Sequence, residues 1–126
     1  GAAMPAGRLR AVQPAGQVIG RSVHVTDGAG VVEGIDYALF GTVFPSRSKG
    51  PDAPVAGRQA LAAWVRQAGR VPVLAVGGID LSRCVAVRES GAAGVAGIDL
   101  FAAAWARGPA ALGDVVGAIH AVFEDG

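Results

Sequence analysis

The segment Val71-Pro-Val-Leu-Ala-Val-Gly77-Gly78-Ile79 decides the fold class of this chain. Nearly all of residues 71–76 are apolar, which is typical of a strand buried on both faces of a parallel sheet, and the run ends in a glycine turn. Similar runs occupy residues 17–24, 36–40 and 94–98, and each ends in a small or polar loop. Because the intervening segments have mostly helical patterns, the four runs predict repeated βα units in an α/β domain.

The connections between these strands differ in their helical signal. Helices are predicted over residues 58–68, 81–90, 100–106 and 109–123. The segment 26–34, which joins the first two strands, contains three glycines. Each interior glycine costs a helix about 1 kcal/mol relative to alanine, so this connection should be weak or irregular.

Trp64, Phe101 and Trp105 lie at core spacing on their helices, so all three are expected to pack inside. Asp99 is expected to cap the short helix over residues 100–106.

The bulk composition limits the classes of function. The 126 residues are expected to form a single domain, 1–126, with 52% hydrophobic and 17% charged residues. We find no run long enough to span a membrane and no secretory signal, and we expect a cytoplasmic protein. A net charge of +1, with 11 scattered Lys and Arg residues, gives no reason to expect a nucleic-acid partner. Cys84 is the only cysteine, so no internal disulfide is possible and no metal ligands are assigned.

Two turns are candidates for binding a phosphate group. Gly77 and Gly78 expose backbone N–H groups without side chains that would block an anion. Gly97 and Ile98 precede the short helix at Asp99, and the N-terminus of a helix favours negative charge. The alternative interpretation is that the glycine pair only serves a tight turn and close packing.

A polar loop over residues 42–57 carries the next candidates. Lys49 is the only lysine of the chain, and its ammonium group could neutralise a phosphate or diphosphate. The hydroxyl groups of Ser46 and Ser48 could donate hydrogen bonds to the same oxygens. The alternative for Lys49 is a solvated surface side chain.

His24 is the candidate acid–base group, because imidazole exchanges protons near neutral pH. It follows the first predicted strand, at the end where parallel α/β folds usually carry their polar functional groups. Strand alternation puts Ser22 on the same face, where it could orient His24 or a substrate. The alternative for His24 is a structural, hydrogen-bonded side chain at the strand end.

Five motifs of this chain, in order and spacing, resemble the thiazole tautomerase and thiamine phosphate synthase family. They are Ile19-Gly-Arg-Ser-Val-His24, Asp36-Tyr-Ala-Leu-Phe-Gly41, Val43-Phe-Pro-Ser-Arg-Ser-Lys49, Ala75-Val-Gly-Gly-Ile79 and Gly91-Ala-Ala-Gly-Val-Ala96. The resemblance implies a (β/α)₈ TIM barrel, of which this chain would supply about four C-terminal βα units, a half-barrel. A half-barrel has two open sheet edges, so we expect a homo-oligomer or a partner half-barrel.

The family resemblance implies a phosphorylated thiazole as the ligand. The Arg21-Ser-Val-His24 sequence favours the tautomerase branch, which we predict, with two alternatives. In the tautomerase branch His24 would move a proton to aromatise a thiazole carboxylate phosphate, with Ser22 orienting and no cofactor. In the synthase branch Lys49, Ser46 and Ser48 would stabilise a departing pyrophosphate, and Mg²⁺ would be required. The third possibility is a non-catalytic phosphate-binding or assembly module. Asp99 departs from the family, which usually has a neutral residue there.

Overall fold

A computed structural model of the chain describes residues 18–45, 55–97 and 99–124. In these ranges four strands form one parallel sheet in the order β1-β2-β3-β4. The strands are β1 (Gly20–Val23), β2 (Tyr37–Phe40), β3 (Val73–Val76) and β4 (Gly94–Ala96). The α/β prediction is confirmed, and the sequential parallel order is consistent with four consecutive units of a (β/α)₈ barrel.

The helices lie between and after the strands. They are α1 (Gly57–Ala68), α2 (Leu81–Glu89), α3 (Asp99–Arg107) and α4 (Pro109–Glu124). The connection between β1 and β2 forms only a short 3₁₀ helix, Ala29–Val32, as its glycines predict. None of the described helices is long and apolar enough to cross a membrane.

The core lies between one face of the sheet and the helices. Val23, Phe40 and Ala75 come from three neighbouring strands and are fully buried. On α1, Leu61 and Trp64 are buried against this face, and the rings of Phe40 and Trp64 have centroids 5.9 Å apart. By alternation Ser22 lies on the opposite face of the sheet, whereas Arg21 shares the helix-covered face with Val23 and is half-buried.

The opposite face of the sheet is less covered. Leu39, Leu74 and Val76 point to this face by alternation and are only partly buried. Within the described ranges, β1 pairs with β2 alone and β4 with β3 alone, so two sheet edges are open there. These edges agree with the half-barrel geometry, while the oligomer or partner that would cover them stays a prediction.

Several predictions need correction. The strands are shorter than predicted: β3 begins after Pro72, which has no N–H to donate to a ladder, and β4 ends at Ala96. Trp105 is 61% exposed rather than packed, although its neighbour Ala104 is fully buried. Asp99 lies inside the first turn of α3 instead of preceding it. Residues 1–17, including the first position of the predicted strand 17–24, lie outside the described residues.

Candidate active site at the carboxyl edge of the sheet

The carboxyl ends of the four parallel strands meet at one edge, which we call the carboxyl edge. Its described positions are His24 after β1, Gly41–Pro45 after β2, Gly77–Gly78 after β3 and Gly97 after β4. Register requires this grouping, because Val23 pairs with Phe40 while Phe40 pairs with Ala75. The fold therefore brings one predicted acid–base residue and both predicted phosphate turns to the same side of the sheet.

Both the backbone and the ring of His24 form hydrogen bonds at the carboxyl edge. Its backbone N–H donates to Asp27 Oδ2 at 2.7 Å, which holds the chain where it leaves β1. Its ring Nδ1 lies 3.2 Å from the carbonyl oxygen of Gly41, on the neighbouring strand. When the proton is on Nδ1, this nitrogen donates to the carbonyl and Nε2 is the ring atom that can accept a proton. The side chain is exposed, so a ligand can reach it.

Ser22 lies on the same side of β1 as His24. Both residues are exposed, whereas Val23 between them is fully buried against the helices. This burial pattern agrees with the strand alternation that the sequence predicts. No hydrogen bond within the described residues joins the two side chains, so the structure brings Ser22 near the edge without showing it orienting His24.

The segment after β2 is bonded to the turn after β3. Val43 N–H donates to the Val76 carbonyl and Phe44 N–H donates to the Gly77 carbonyl, both at 3.0 Å. The two glycines of the turn have positive φ values of 101° and 65°. A Cβ atom at Gly78 would lie 2.3 Å from the Pro45 carbonyl oxygen. Close packing therefore requires glycine here, which gives the alternative interpretation of the glycine pair a physical basis.

The same turn nevertheless has donors available for an anion. In their loop hydrogen bonds Gly77 and Gly78 use their carbonyl oxygens, toward Phe44 N–H and the Arg83 side chain. No described residue accepts a loop hydrogen bond from the N–H group of either glycine. Two consecutive N–H groups without a described partner are suited to bind the oxygen atoms of a phosphate.

Arg83 is a residue of the carboxyl edge that the sequence analysis missed. Its Nη1 donates to the Gly78 carbonyl at 2.5 Å, and its guanidinium carbon lies 4.9 Å from the centroid of the Phe44 ring. The available sequence signal was its position in the first turn of α2, directly after the glycine turn. Side chains in a first turn point back toward the preceding loop, so an arginine there can reach it.

The start of α2 is fixed by Asp80. Its Oδ1 accepts hydrogen bonds from Arg83 N–H at 3.0 Å and from Ser82 Oγ at 2.6 Å. The Ser82 hydrogen bond, followed by the Arg83 backbone hydrogen bond and the Arg83 charge, holds the pKa of Asp80 below its usual value, although partial burial opposes this. Asp80 is therefore an N-cap that orders the first turn from which Arg83 extends.

The turn after β4 differs from the turn after β3. No described atom lies within 4 Å of a Cβ built on Gly97, so no close packing within the described residues requires glycine there. Asp99 is exposed in the first turn of α3, where a carboxylate is favoured by the helix dipole. The same carboxylate repels any anion that binds at this N-terminus.

Four predicted site residues lie outside the described residues: Ser46, Ser48, Lys49 and Ile98. Within the described residues no group of three or more His, Cys, Asp or Glu side chains could hold a metal ion. The described residues therefore do not supply a Mg²⁺ site, and the Mg²⁺ requirement of the synthase branch stays a prediction.

Cys84 is fully buried, and burial, followed by the charge of Asp80, raises the pKa of its thiol. It takes no part in the carboxyl edge.

Comparison with known proteins adds the family. The sequence model of the TMP-TENI family, described as thiamine monophosphate synthase, matches residues 1–101. The chain belongs to this family. Among its relatives, a thiamine-phosphate synthase of Levilactobacillus brevis is 46% identical over 72 residues, which are 57% of this chain and 33% of that protein. A thiamine-phosphate synthase of Methanocella arvoryzae is 40% identical over 95 residues, which are 74% of this chain and 44% of that protein.

A third relative, the thiamine biosynthesis bifunctional protein ThiED of Geobacter sulfurreducens, is 40% identical over 89 residues, 69% of this chain and 18% of that protein. The chain thus spans less than half the length of these three relatives. The family resemblance predicted from the motifs is confirmed, and two of these three relatives carry the synthase name. The prediction of the tautomerase branch has no such support.

Proposed function

We propose that this chain forms the carboxyl-terminal part of a thiamine-phosphate synthase, in which the carboxyl edge binds a phosphorylated thiazole. The observation that carries the proposal is the family match over residues 1–101, together with relatives that are named thiamine-phosphate synthase. The arrangement of the edge supports it, because both glycine turns lie at the same end of the sheet as Pro45, the last described residue before Ser46.

The phosphate of the thiazole binds through backbone donors. The N–H groups of Gly77 and Gly78 are without a described loop partner, and the turn at Gly97 leads directly to the N-terminus of α3. Anions are favoured at such positions because the N–H groups and the helix dipole both present partial positive charge. Ile98 N–H would add a fourth donor to the set, as the sequence analysis predicts.

The reaction then joins the thiazole to a pyrimidine diphosphate. The ring nitrogen of the thiazole forms a bond to the methylene carbon of the pyrimidine, while the bond from that carbon to the diphosphate oxygen breaks. The electron pair leaves with the diphosphate. Lys49, Ser46 and Ser48 stabilise this departing charge. They follow Pro45 in the sequence, and the Pro45 carbonyl lies close to Gly78.

Thiazole tautomerase activity is the second candidate, and the position of His24 favours it. The imidazole is exposed at the carboxyl edge and is oriented through Nδ1 toward the Gly41 carbonyl. An imidazole held in this way can accept a proton on Nε2 from one ring carbon of a dihydrothiazole and return a proton elsewhere on the ring. The relatives' names favour the synthase over this activity.

Two assays on the purified chain separate these functions. The first supplies pyrimidine diphosphate and thiazole phosphate, with and without Mg²⁺, and measures thiamine phosphate by mass spectrometry, with Lys49→Ala beside the native chain. The second follows the aromatisation of the dihydrothiazole carboxylate phosphate by ultraviolet absorbance, with His24→Ala beside it. We expect product in the first assay and its loss in Lys49→Ala.

The other outcomes also decide between the candidates. Turnover only in the second assay, lost in His24→Ala, would establish the tautomerase instead. Phosphate binding without turnover in either assay would leave the non-catalytic binding module. Absence of both binding and turnover would contradict the proposed function of this chain.

A further inference from the structure

Arg83 connects two segments of the carboxyl edge that are far apart in the sequence. It belongs to the first turn of α2, and its side chain extends back over the loop before that helix. One end of the guanidinium donates to the Gly78 carbonyl, and its face lies over the ring of Phe44, 4.9 Å from the centroid. Asp80 Oδ2, 3.9 Å from Nε, adds a weak, partly exposed ion pair.

The bond to Gly78 has a directional consequence for the turn. A peptide unit is planar and trans, so its C=O and the N–H of the next residue point in opposite directions. The Arg83 bond to the Gly78 carbonyl therefore fixes the direction of the Ile79 N–H. The Phe44 bond to the Gly77 carbonyl fixes the Gly78 N–H in the same way.

The contact with Phe44 has a consequence for the neighbouring segment. Phe44 is half-buried and directly precedes Pro45, the last residue of the described range 18–45. A guanidinium over an aromatic ring is attracted by the ring's electrons and also covers its surface. Arg83 thus contacts both the Phe44 side chain and the Gly78 carbonyl through one rigid, planar group.

We propose that Arg83 is a positioning residue that locks the Gly77–Gly78 turn to the Phe44–Pro45 segment. It fixes the direction of the Ile79 N–H directly, and by holding Phe44 it supports the hydrogen bond that fixes the Gly78 N–H. The part of this inference that concerns a ligand rests on the proposed function, because only a phosphate at the turn would sense the N–H directions. The part that concerns the lock stands on the contacts alone.

The first part of the test measures, without any ligand, how strongly the Phe44 segment is held to the Gly77–Gly78 turn. Amide hydrogen exchange is followed at Phe44, whose N–H bonds to Gly77, in the full chain and in Arg83→Ala and Arg83→Lys. The matched control is Arg88→Ala, because Arg88 lies on the same helix and donates to the Val122 carbonyl at 3.4 Å instead. Each rate is compared with the global unfolding rate of the same variant, so that general loss of stability is removed.

We expect exchange at Phe44 to rise about 10-fold in Arg83→Ala, because a hydrogen bond from a charged group and a cation–π contact are both lost. The exchange rate of the Phe44 amide in Arg83→Lys should lie between those of the native chain and Arg83→Ala, since lysine keeps the charge but not the planar fork. Arg88→Ala should leave this amide unchanged. Equal protection of Phe44 in Arg83→Ala and Arg88→Ala would overturn the proposal.

A second variant keeps the test decisive if Arg83→Ala does not fold. Phe44→Leu retains an apolar side chain but removes the aromatic ring, so only the cation–π contact is lost. We expect exchange at the position 44 amide to rise about 3-fold, in line with a contact of this kind at a partly exposed site. No change in Phe44→Leu together with no change in Arg83→Lys would contradict the lock.

The second arm measures the dissociation constant of inorganic phosphate and of the phosphorylated thiazole by calorimetry. We expect Arg83→Ala to raise both constants about 10-fold and Arg83→Lys to restore part of the loss, with Arg88→Ala unchanged. If the native chain binds neither anion, the proposed function fails while the exchange arm still decides on Arg83. If Arg83→Ala weakens binding without any change in exchange, Arg83 contacts the anion directly and the positioning role is wrong.

Discussion

The glycine turns after β3 and β4 use the same residue type for different physical reasons. Gly77 and Gly78 have positive φ values, and added Cβ atoms would come within 2.4 Å of Thr42 and 2.3 Å of Pro45. Gly97 has no positive φ and no described atom within 4 Å of such a Cβ. The first turn needs glycine to fold, whereas the second could hold a side chain without any described clash.

This difference changes the weight of each glycine as an indicator of function. Packing on Thr42 and Pro45 is enough to explain the pair after β3, so its glycines alone do not indicate a ligand. Its N–H groups without described loop partners do point to one. At Gly97 the open space itself is the signal, because an anion that approaches the backbone needs room. The comparison therefore predicts that alanine in the turn after β3 will lower the stability of the fold, whereas alanine at Gly97 will weaken ligand binding.

The largest expected effect is on stability in Gly78→Ala. The substitution introduces a Cβ at φ 65° and close to two carbonyl oxygens, so it should lower the free energy of unfolding by at least about 2 kcal/mol. Urea denaturation measures the loss. The matched control is Gly97→Ala, which should change stability by no more than about 0.5 kcal/mol. Equal losses in the two variants would remove the distinction between the turns.

The second effect is on ligand binding in Gly97→Ala. A methyl group in the open space before α3 obstructs an anion there, so the dissociation constant for phosphorylated thiazole should rise about 10-fold, or about 1.4 kcal/mol. Calorimetry measures this constant. A variant with native stability and native affinity would mean that no phosphate approaches Gly97.

The third effect concerns Asp80, the N-cap of α2. Asp80→Ala should cost about 1 kcal/mol at pH 7, because the hydrogen bond to Arg83 N–H is lost. The pKa of Asp80 is lowered by folding, so its contribution is present above its usual value of 3.8 and disappears as the pH falls through the lower, folded value.

The free energies of unfolding of the native chain and Asp80→Ala should therefore differ by a constant amount between about pH 6 and 8. The two values should become equal as the pH falls into the acid range. The matched control is Asp99→Ala, in which only a helix-dipole contribution of about 0.3–1 kcal/mol is removed. Curves of the native chain and Asp80→Ala that stay parallel into acid would contradict the N-cap assignment.

The smallest expected effect is a gain. Asp99→Asn removes a negative charge from the N-terminus of α3 and should tighten phosphate binding about 2- to 5-fold at low salt, because exposed charges interact weakly through water. The gain should shrink as ionic strength rises, since salt screens such charges. An affinity that does not respond to Asp99→Asn at any salt concentration would place the anion away from this turn.

The sequence predicted the elements well because their signals are local. The helix over 58–68, the short helix after β4 and the broken connection at residues 26–34 follow from periodicity and glycine placement alone. The burial of Trp64 was predicted for the same reason. The grouping of His24 with the glycine turns follows from parallel strand order, which the βα repeat implies.

Other features depend on contacts between distant segments. Spacing shows which side chains share a helix face but not what lies opposite, so Trp105 was expected inside and is exposed. Arg83 was missed because its importance comes from Gly78 and Phe44, which belong to two other connections. The packing of Pro45 on Gly78 likewise depends on the close approach of two loops.

One measurement tests the central claim that the carboxyl edge binds the phosphate of a thiazole. The chain is labelled with ¹⁵N-glycine, and its amide resonances are followed as phosphorylated thiazole is added, with inorganic phosphate as competitor. The account predicts saturable shifts at Gly77, Gly78 and Gly97, reversed by the competitor. Shifts confined to other glycines, or none at any concentration, would contradict it.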